Sequence, residues 1–231
     1  MLITSHDLTI EDTHPALGLT VRVNYFTLPE ENFPALIRRV SLINNSKKKY
    51  TVEMLDGLPA IMAYGLRDWF LKNMTRTAEA WIKVSNLKKK APFFHLNVEI
   101  ADTPDVRHIK EGNFYFGFYP LQNKPQLLDT IVEAQSVFGQ ATDFLSPQRF
   151  WESKSYQVPA QQQTSNRTPC AMSFARFSLA PGKTKECVAV AGYTHREANL
   201  NHLVKQVTAK GFIEQKAQQN RDIIMSVKSC A

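Results

Sequence analysis

The amino-acid sequence predicts a mainly-β fold of antiparallel strands, and three observations support this prediction. Apolar and polar side chains alternate along residues 19–25, which is the period of a half-buried strand. Short turn sequences, such as Asn-Asn-Ser-Lys at 44–47, separate several runs of this kind. The tetrapeptide Ala-Pro-Gly-Lys at 180–183 lies between two further runs and is typical of a tight turn.

The predicted strands are residues 18–28, 35–44, 49–55, 93–100, 113–119, 127–138, 170–179 and 184–192. We expect the first three to form a meander, because only short connections separate them. We expect the last two to form a hairpin around the turn at 180–183.

Two segments depart from the β pattern. Residues 64–84 are rich in Ala, Leu, Met, Lys and Glu, with apolar side chains near helical spacing. This predicts one helix or two short helices, in an insertion that extends over 64–90. After the last strand the period changes to 3.6, which predicts two helices interrupted by Gly211. We therefore expect a β domain over residues 1–194 and a helical segment over 195–231.

The stretch 139–168 has no periodic pattern and contains Pro147, Pro159 and three consecutive glutamines. That is long for a loop, and loops of this length tend to be functional or mobile.

The net charge of +7 raises the question of nucleic acid or an anionic membrane as a partner. Three consecutive lysines occur only at 47–49 and 88–90, where we predict turns or ends of elements, and no aromatic residue is interleaved with them in a stacking pattern. The sequence contains no run of 18 apolar residues. We therefore expect neither nucleic acid nor a membrane as a partner.

The three cysteines, Cys170, Cys187 and Cys230, are odd in number and form no C-x-x-C motif, which predicts neither a disulfide framework nor a zinc site. Cys170 and Cys187 lie in predicted strands and are interpreted as reduced core thiols. The first residues lack the features of a signal peptide, which favours a cytoplasmic location. A periplasmic location stays open, because an upstream segment can have been removed.

The motifs of the common enzyme classes are absent from the sequence. There is no G-x-S-x-G, no H-E-x-x-H and no phosphate-binding loop, and the six histidines form no ligand pair with an acidic partner. We expect no catalytic residue, no metal site and no cofactor in this chain. Asp56, which precedes Gly57, is interpreted as a turn residue.

Five residues are candidate carbohydrate contacts: Tyr64, Trp69, Phe150, Trp151 and Glu152. An exposed aromatic ring presents a flat apolar face to the C–H face of a sugar, while polar neighbours bind the hydroxyls. The alternative for Trp69, and for Trp81 nearby, is a core role as an anchor of the inserted helix. That alternative is weaker for residues 150–152, because they lie in the irregular stretch.

Three passages carry a resemblance to a known family. Residues 21–46 read VRVNYFTLPEENFPALIRRVSLINNS, and an R-R-x-x-L-x-N-x-S pattern within them is formed by Arg38, Arg39, Leu42, Asn44 and Ser46. Residues 53–84 contain DGLPAIMAYGL and TRTAEAWIKV, and residues 177–192 contain an L-x-P-G turn followed by a glycine. In this order, the passages resemble the N-terminal β-sandwich of cellobiose-phosphorylase-like proteins, which belong to glycosyltransferase family 36 and glycoside hydrolase family 94.

The resemblance implies an antiparallel supersandwich like that of galactose mutarotase, followed by a helical linker and an (α/α)6 barrel. In that family the barrel carries the catalytic acid and the phosphate-binding residues. The leading hypothesis is therefore a non-catalytic N-terminal domain of a glycoside phosphorylase or hydrolase, which supports the barrel and contributes to the sugar site or a dimer interface. The implied partners are a carbohydrate, inorganic phosphate for a phosphorylase parent, and a second copy in a homodimer. We expect residues 195–231 to lead toward the barrel, which the 231 residues do not contain.

Two alternatives stay open. An aldose mutarotase-like epimerase on the same sandwich needs a base and an acid across a cleft, and His95 with a downstream carboxylate is the one option for them. A stand-alone carbohydrate-binding module predicts a compact end without linker helices.

Overall fold

The computed structural model describes residues 1–66, 68–99, 105–120 and 125–229. The protein is mainly β, with 38% of its residues in strands and 23% in helices, which confirms the predicted fold class. The strands form two antiparallel sheets in a sandwich-like arrangement.

The strands are, in chain order, β1 (Leu2–Ile3), β2 (Leu8–His14), β3 (Leu19–Thr27), β4 (Ala35–Asn44), β5 (Tyr50–Leu58), β6 (Ile82–Ser85), β7 (Phe93–Leu96), β8 (Gly112–Tyr119), β9 (Gln126–Leu127), β10 (Asp129–Ile131), β11 (Ala171–Leu179) and β12 (Thr184–Thr194). The helices are α1 (Asp68–Asn73), α2 (Thr75–Glu79), α3 (Gln135–Phe138), α4 (Gln148–Glu152), α5 (Glu197–Val207) and α6 (Phe212–Ser229). A single-turn 3-10 helix spans Leu87–Lys89.

The large sheet has the strand order β1-β2-β3-β4-β12-β8-β7-β6, with β9 paired to β8, and the small sheet has the order β10-β11-β5. The C-terminal strand β12 lies at the centre of the large sheet, between β4 and β8. The two halves of the chain therefore share one core.

The strand β8 shows how the large sheet is buried on both faces. Phe114, Phe116 and Phe118 lie on one face and belong to the same core cluster as Leu200 and Leu203 of α5. Successive side chains of a strand point to opposite faces, so the residues between these phenylalanines face the small sheet. The α5–α6 layer, the large sheet and the small sheet therefore stack in that order.

The turn at 180–183 joins the two sheets, so the hairpin predicted there is wrong. Strand β11 pairs with β5 in the small sheet, whereas β12 pairs with β4 and β8 in the large sheet. The backbone of Asn44 binds this turn, because its N–H donates to Lys183 O at 3.0 Å and its carbonyl accepts from Gly182 N at 2.8 Å. A tight turn sequence specifies a change of direction and not the sheet that the next strand joins.

The predicted meander is correct for β3 and β4 and wrong for the strand that follows. Strand β3 pairs with β4 from Leu19–Asn44 to Thr27–Leu36. Strand β5 crosses to the small sheet and pairs with β11 along its whole length. Two of the chain crossings between the sheets, at 45–49 and at 180–183, therefore lie at the end of the sandwich where Asn44 is buried.

The helical insertion is shorter than predicted. Helices α1 and α2 confirm two short helices, but β6 follows within the range expected to be helical. Ile82 and Val84 are buried and Lys83 between them is exposed, so the period there is two. The segment 127–138 differs in the opposite direction, because it contains two short strands and then α3 in place of one strand.

The two predicted C-terminal helices are confirmed as α5 and α6, and Gly211 lies between them with a φ of +79°. Leu200, Leu203 and Val207 of α5 and Ile213 of α6 are buried in the same cluster as the phenylalanines of β8. The helices are therefore part of the folded unit.

Cys170 and Cys187 are free and buried, as predicted, and burial raises the pKa of each thiol to about 12. Cys230 lies outside the described residues. Among the helices that the structure describes, none has the length and apolar character needed to cross a membrane.

Candidate functional site

The irregular stretch 139–168 covers the outer face of the small sheet, and it places Phe150, Trp151 and Glu152 together on α4. The ring of Phe150 lies 5.4 Å from that of Tyr156 and 6.5 Å from that of Phe174 on β11. Phe150 therefore anchors α4 on the sheet and is not free to stack on a sugar.

Trp151 is the residue of this helix that remains available for binding. Its side chain is 66% exposed, and Glu152 is exposed beside it. Trp151 lies at a groove of about 350 Å³, which is lined by Glu53, Met54, Leu55, Phe138, Pro147, Phe150, Trp151 and Met172. The groove combines an exposed indole with apolar side chains and one carboxylate, a composition common in small-ligand sites.

The carboxylate in this groove, Glu53, is occupied by other contacts. Its Oε1 accepts from Nε of Arg176 at 2.9 Å, and its Oε2 accepts from the backbone N–H of Tyr156 at 3.2 Å. Arg176 also donates to Tyr156 O at 2.7 Å, so the pair fixes the irregular stretch on the small sheet. Glu53 therefore has a positioning role and is poorly placed to act as a free base.

The other two candidate contacts lie elsewhere in the fold. Trp69 is 59% exposed on α1 and packs edge-on against Phe70, with ring centroids 5.2 Å apart. Trp81 is half-buried and packs against the cluster of Ala63, Ile82 and Leu96, which fits a core role. The core role considered for Trp69 does not fit its exposure.

Tyr64 lies beside the end of β7, where it forms a bridge with His95. Its ring packs against that of Tyr193 on β12, with centroids 4.9 Å apart and an interplanar angle of 42°. The five candidates thus divide into one group, residues 150–152, and two separate aromatic residues.

A polar contact between the sheets is the feature that the sequence reasoning missed. Asp56 is buried on β5, and its Oδ1 lies 2.7 Å from Nη2 of Arg38 on β4. The interpretation of Asp56 as a turn residue is wrong, since it lies within the strand. Desolvation raises the pKa of this carboxyl, and the neighbouring Arg38 opposes that rise.

The conformation of Gly57 explains why a D-G pair occurs inside a strand. Its φ is +143°, and a Cβ at this position would lie 2.2 Å from the carbonyl oxygen of Ala171 on the paired strand. Only glycine fits there, so this D-G sequence reflects close strand packing and not a turn.

A wide cleft of about 1060 Å³ lies between the 3-10 helix and the irregular stretch. Several of its polar groups already have partners: Gln162 donates to Thr130 O at 3.0 Å, and Lys90 lies 2.7 Å from Asp129. Lys88 and Lys89 are exposed at its rim, in agreement with solvated lysines at the end of an element.

His95, the candidate base of an epimerase, is half-buried, and its Nδ1 lies 3.0 Å from the carbonyl oxygen of Leu96. Desolvation lowers its pKa. Within the described residues, no group of three or more His, Cys, Asp or Glu side chains is arranged to hold a metal ion.

Comparisons with known proteins add no assignment to this geometry. A scan against protein-family models finds no match. A search of curated proteins finds no sequence with significant similarity.

Proposed function

We propose that this protein is the non-catalytic β-sandwich domain of a carbohydrate-active enzyme of the cellobiose-phosphorylase-like type. One observation supports the proposal: the three passages that carry the sequence resemblance contact one another in the fold. The third passage is far from the first two in the chain, so its contact with the first marks a common structural unit.

The first passage binds the second through a charge pair and the third through an amide. Arg38 of the R-R pattern pairs with Asp56 of the D-G-L-P sequence. Asn44 of the same pattern is fully buried, and its Nδ2 donates to the carbonyl oxygen of Leu179, the first residue of the L-x-P-G turn, at 3.2 Å. The residues that resemble the family therefore hold the two sheets together.

The acidic residues of the first passage bind the C-terminal helices. Glu31 accepts from Nε2 of Gln206 on α5 at 2.9 Å and lies 2.8 Å from Nζ of Lys216 on α6. Lys216 is buried, so this contact removes both charges from water. In the proposed parent enzyme, the helices that lead to the barrel are thus fixed to the sandwich by the motif that precedes β4.

The proposed role is to support a catalytic (α/α)6 barrel and to shape its sugar site or dimer interface, with the two sheets as a supersandwich of the galactose mutarotase type. The parent cleaves or forms glycosidic bonds with phosphate or water as the nucleophile. The motif residues have structural contacts in the sandwich, which supports a scaffold role for this domain.

The direct test is the coding sequence after Ala231, followed by activity assays. We expect an (α/α)6 barrel there, and we expect the complete enzyme, but not residues 1–231 alone, to cleave cellobiose or a related disaccharide. A coding sequence without a barrel would contradict the proposal.

Two assays on residues 1–231 separate the proposal from its rivals. Polarimetry on glucose and galactose should show no acceleration of mutarotation. Acceleration that His95→Ala abolishes would identify an epimerase instead. Calorimetry with cellobiose should show no tight binding, and a tight signal lost in Trp151→Ala would identify a carbohydrate-binding module.

A further inference from the structure

The large sheet extends beyond the small sheet at the end where β5 stops at Leu58. Thr27, Leu36 and Ala191 are paired neighbours across β3, β4 and β12 and lie on the face directed toward the small sheet. Leu36 is nevertheless 42% exposed. This uncovered part of the sheet forms the floor of a hollow of about 430 Å³.

Tyr193 and Tyr64 form an aromatic wall beside this hollow. Tyr193 lines it, and the ring of Tyr64 packs on Tyr193 at an interplanar angle of 42°, with 38% of Tyr64 exposed. Tyr193 also packs edge-on against His195, and its hydroxyl lies 3.0 Å from Nδ1 of that ring. The ring of Tyr193 is thus held by contacts with two other rings.

Backbone contacts hold this wall in position without a ligand. Tyr64 accepts from Leu96 N at 3.1 Å and donates its own N–H to Phe94 O at 3.4 Å, so it is bound on both sides to β7. The amide of Asn113 on β8 donates to Met62 O at 2.8 Å and fixes the segment that carries Tyr64. A site fixed in this way loses little conformational entropy when a ligand binds.

The side chains that line the hollow carry no formal charge: they are Thr27, Leu28, Pro34, Ala35, Leu36, Ile61, Asn113, Ala191 and Tyr193, with Gly192 adding backbone only. An uncharged lining disfavours a phosphorylated or carboxylated ligand, which would lose hydration without gaining a counter-charge. The phenol of Tyr193 and the amide of Asn113 supply polar groups at the edge. The volume lies near the lower end of the range for ligand sites, about 300–1,000 Å³.

We propose that this hollow is a subsite for a neutral pyranose ring, with Tyr193 as its aromatic wall, the exposed ring of Tyr64 extending that wall, and Oδ1 of Asn113 as a hydroxyl partner. A sugar ring has an apolar C–H face and a polar edge, and the wall and its rim offer the complementary surfaces. The choice of a sugar over another neutral ring rests on the proposed function. Neither Trp69 nor Trp151 takes part.

The test is a titration of the complete chain, labelled with 13C in its tyrosine rings, with methyl β-glucoside and with cellobiose, followed by NMR. We expect the ring signals of Tyr64 and Tyr193 to shift together, with a dissociation constant in the millimolar range. Glucose 1-phosphate should bind no more tightly than methyl glucoside. Shifts confined to other tyrosines, or no shift at 50 mM sugar, would overturn the proposal.

Variants then test which aromatic residues of the wall contact the sugar. Tyr64→Ala should weaken sugar binding by about three- to tenfold, the range expected for one aromatic contact, and Tyr64→Phe should retain most of it. Tyr193→Phe keeps the ring and should lower affinity because the hydroxyl and its contact with His195 are lost. Tyr50→Phe, at the end of β5 opposite the hollow, is the matched control and should bind as the unaltered chain does. Equal affinity in Tyr64→Ala and the unaltered chain would refute the site.

The outcomes separate this site from the proposed function. If the coding sequence contains the barrel and the tyrosines do not respond to sugar, the site is wrong and the proposed function stands. If the tyrosines respond and no barrel follows, the hollow is a genuine sugar site on a protein of another class.

Discussion

Arg38 and Asp56 connect the two sheets at 2.7 Å, one from β4 of the large sheet and one from β5 of the small sheet. The guanidinium of Arg38 also donates to the hydroxyl of Tyr25 on β3. Arg38 retains 29% side-chain exposure, whereas Asp56 retains 6%. The pair therefore lies at the margin of the interior, with its anion desolvated and its cation in contact with water.

Removal of one partner should destabilise the sandwich. Asp56→Ala leaves the guanidinium without its counter-charge, and we expect the free energy of unfolding in urea to fall by about 2–3 kcal/mol. This loss is smaller than that for breaking a fully buried ion pair, because Arg38 is partly hydrated. Glu11→Ala removes an exposed pair with Arg22 and should cost less than about 0.5 kcal/mol. Equal losses in the two variants would show that Asp56 has no special role.

The same carboxyl predicts an unusual dependence on pH. Desolvation raises its pKa in the folded state above the ordinary value of 3.8. At pH values between the unfolded and the folded pKa, the folded state therefore binds more protons than the unfolded state. The contribution of Asp56 to the free energy of unfolding is accordingly full below this pH interval and falls as the pH rises through it. Urea unfolding at pH 4 and pH 7 should show the unaltered chain losing stability relative to Asp56→Asn as pH rises. The opposite slope would mean that Arg38 outweighs desolvation.

Asn44 should be the most sensitive residue of the inter-sheet turns. Its Nδ2 donates to Lys48 O and Leu179 O, and its Oδ1 accepts from Ser46. Asn44→Ala leaves the buried carbonyl of Leu179 and two partly buried backbone groups without this partner, and we expect a loss of about 2–4 kcal/mol in urea unfolding. Asn45→Ala, which removes one bond to Thr20 from an exposed position, is the control and should cost under about 1 kcal/mol.

Substitutions at the neighbouring residues Phe150 and Trp151 should distinguish a packed side chain from an exposed one. Phe150→Ala removes a ring that packs against Tyr156 and Phe174, and we expect a loss of about 2–4 kcal/mol. Trp151→Ala removes a side chain from a residue that is 66% exposed and should change stability by less than about 0.5 kcal/mol. A large loss in Trp151→Ala would mean that the indole belongs to the core.

Glu31 should control how firmly α5 and α6 are attached. Glu31→Ala removes the partner of Gln206 and of the buried Lys216, so we expect faster hydrogen exchange in α6 and a loss of about 2–4 kcal/mol. Glu30→Ala removes an exposed contact with Gln219 and serves as the control, with exchange in α6 nearly unchanged. Unaltered exchange in Glu31→Ala would show that apolar packing alone holds the helices.

The sequence predicts the strands well where one face is buried and the period is two. Residues 35–44 are predicted as a strand and observed as β4, and the C-terminal helices are also found where the period changes to 3.6. Sheet membership is not predictable in this way, because β5 and β11 show the same local pattern as strands of the large sheet. Their placement depends on long-range contacts, such as those of Asn44, that no short window contains.

The candidate site is predictable only in part, for a similar reason. Residue type identified Tyr64 and Trp151 as aromatic candidates, and both are exposed. Nothing local links Tyr64 with Tyr193, since 129 positions separate them and only the fold brings their rings together. The buried role of Asp56 was hidden because Asp-Gly is typical of turns, and the interpretation changes only when the contact of Gly57 with Ala171 is known.

Arg38 and Arg39 are consecutive, so their side chains leave β4 on opposite faces. Arg38 reaches the small sheet, and Arg39 lies 3.2 Å from Glu186 on β12 and 3.6 Å from Glu214 on α6. Two adjacent residues therefore connect one strand to both outer layers of the molecule. Arg39 thus links β4 to α6 on one side of the large sheet, while Arg38 links β4 to the small sheet on the other. Substitution of either arginine alone should therefore weaken the contact with one layer and leave the contact with the other in place.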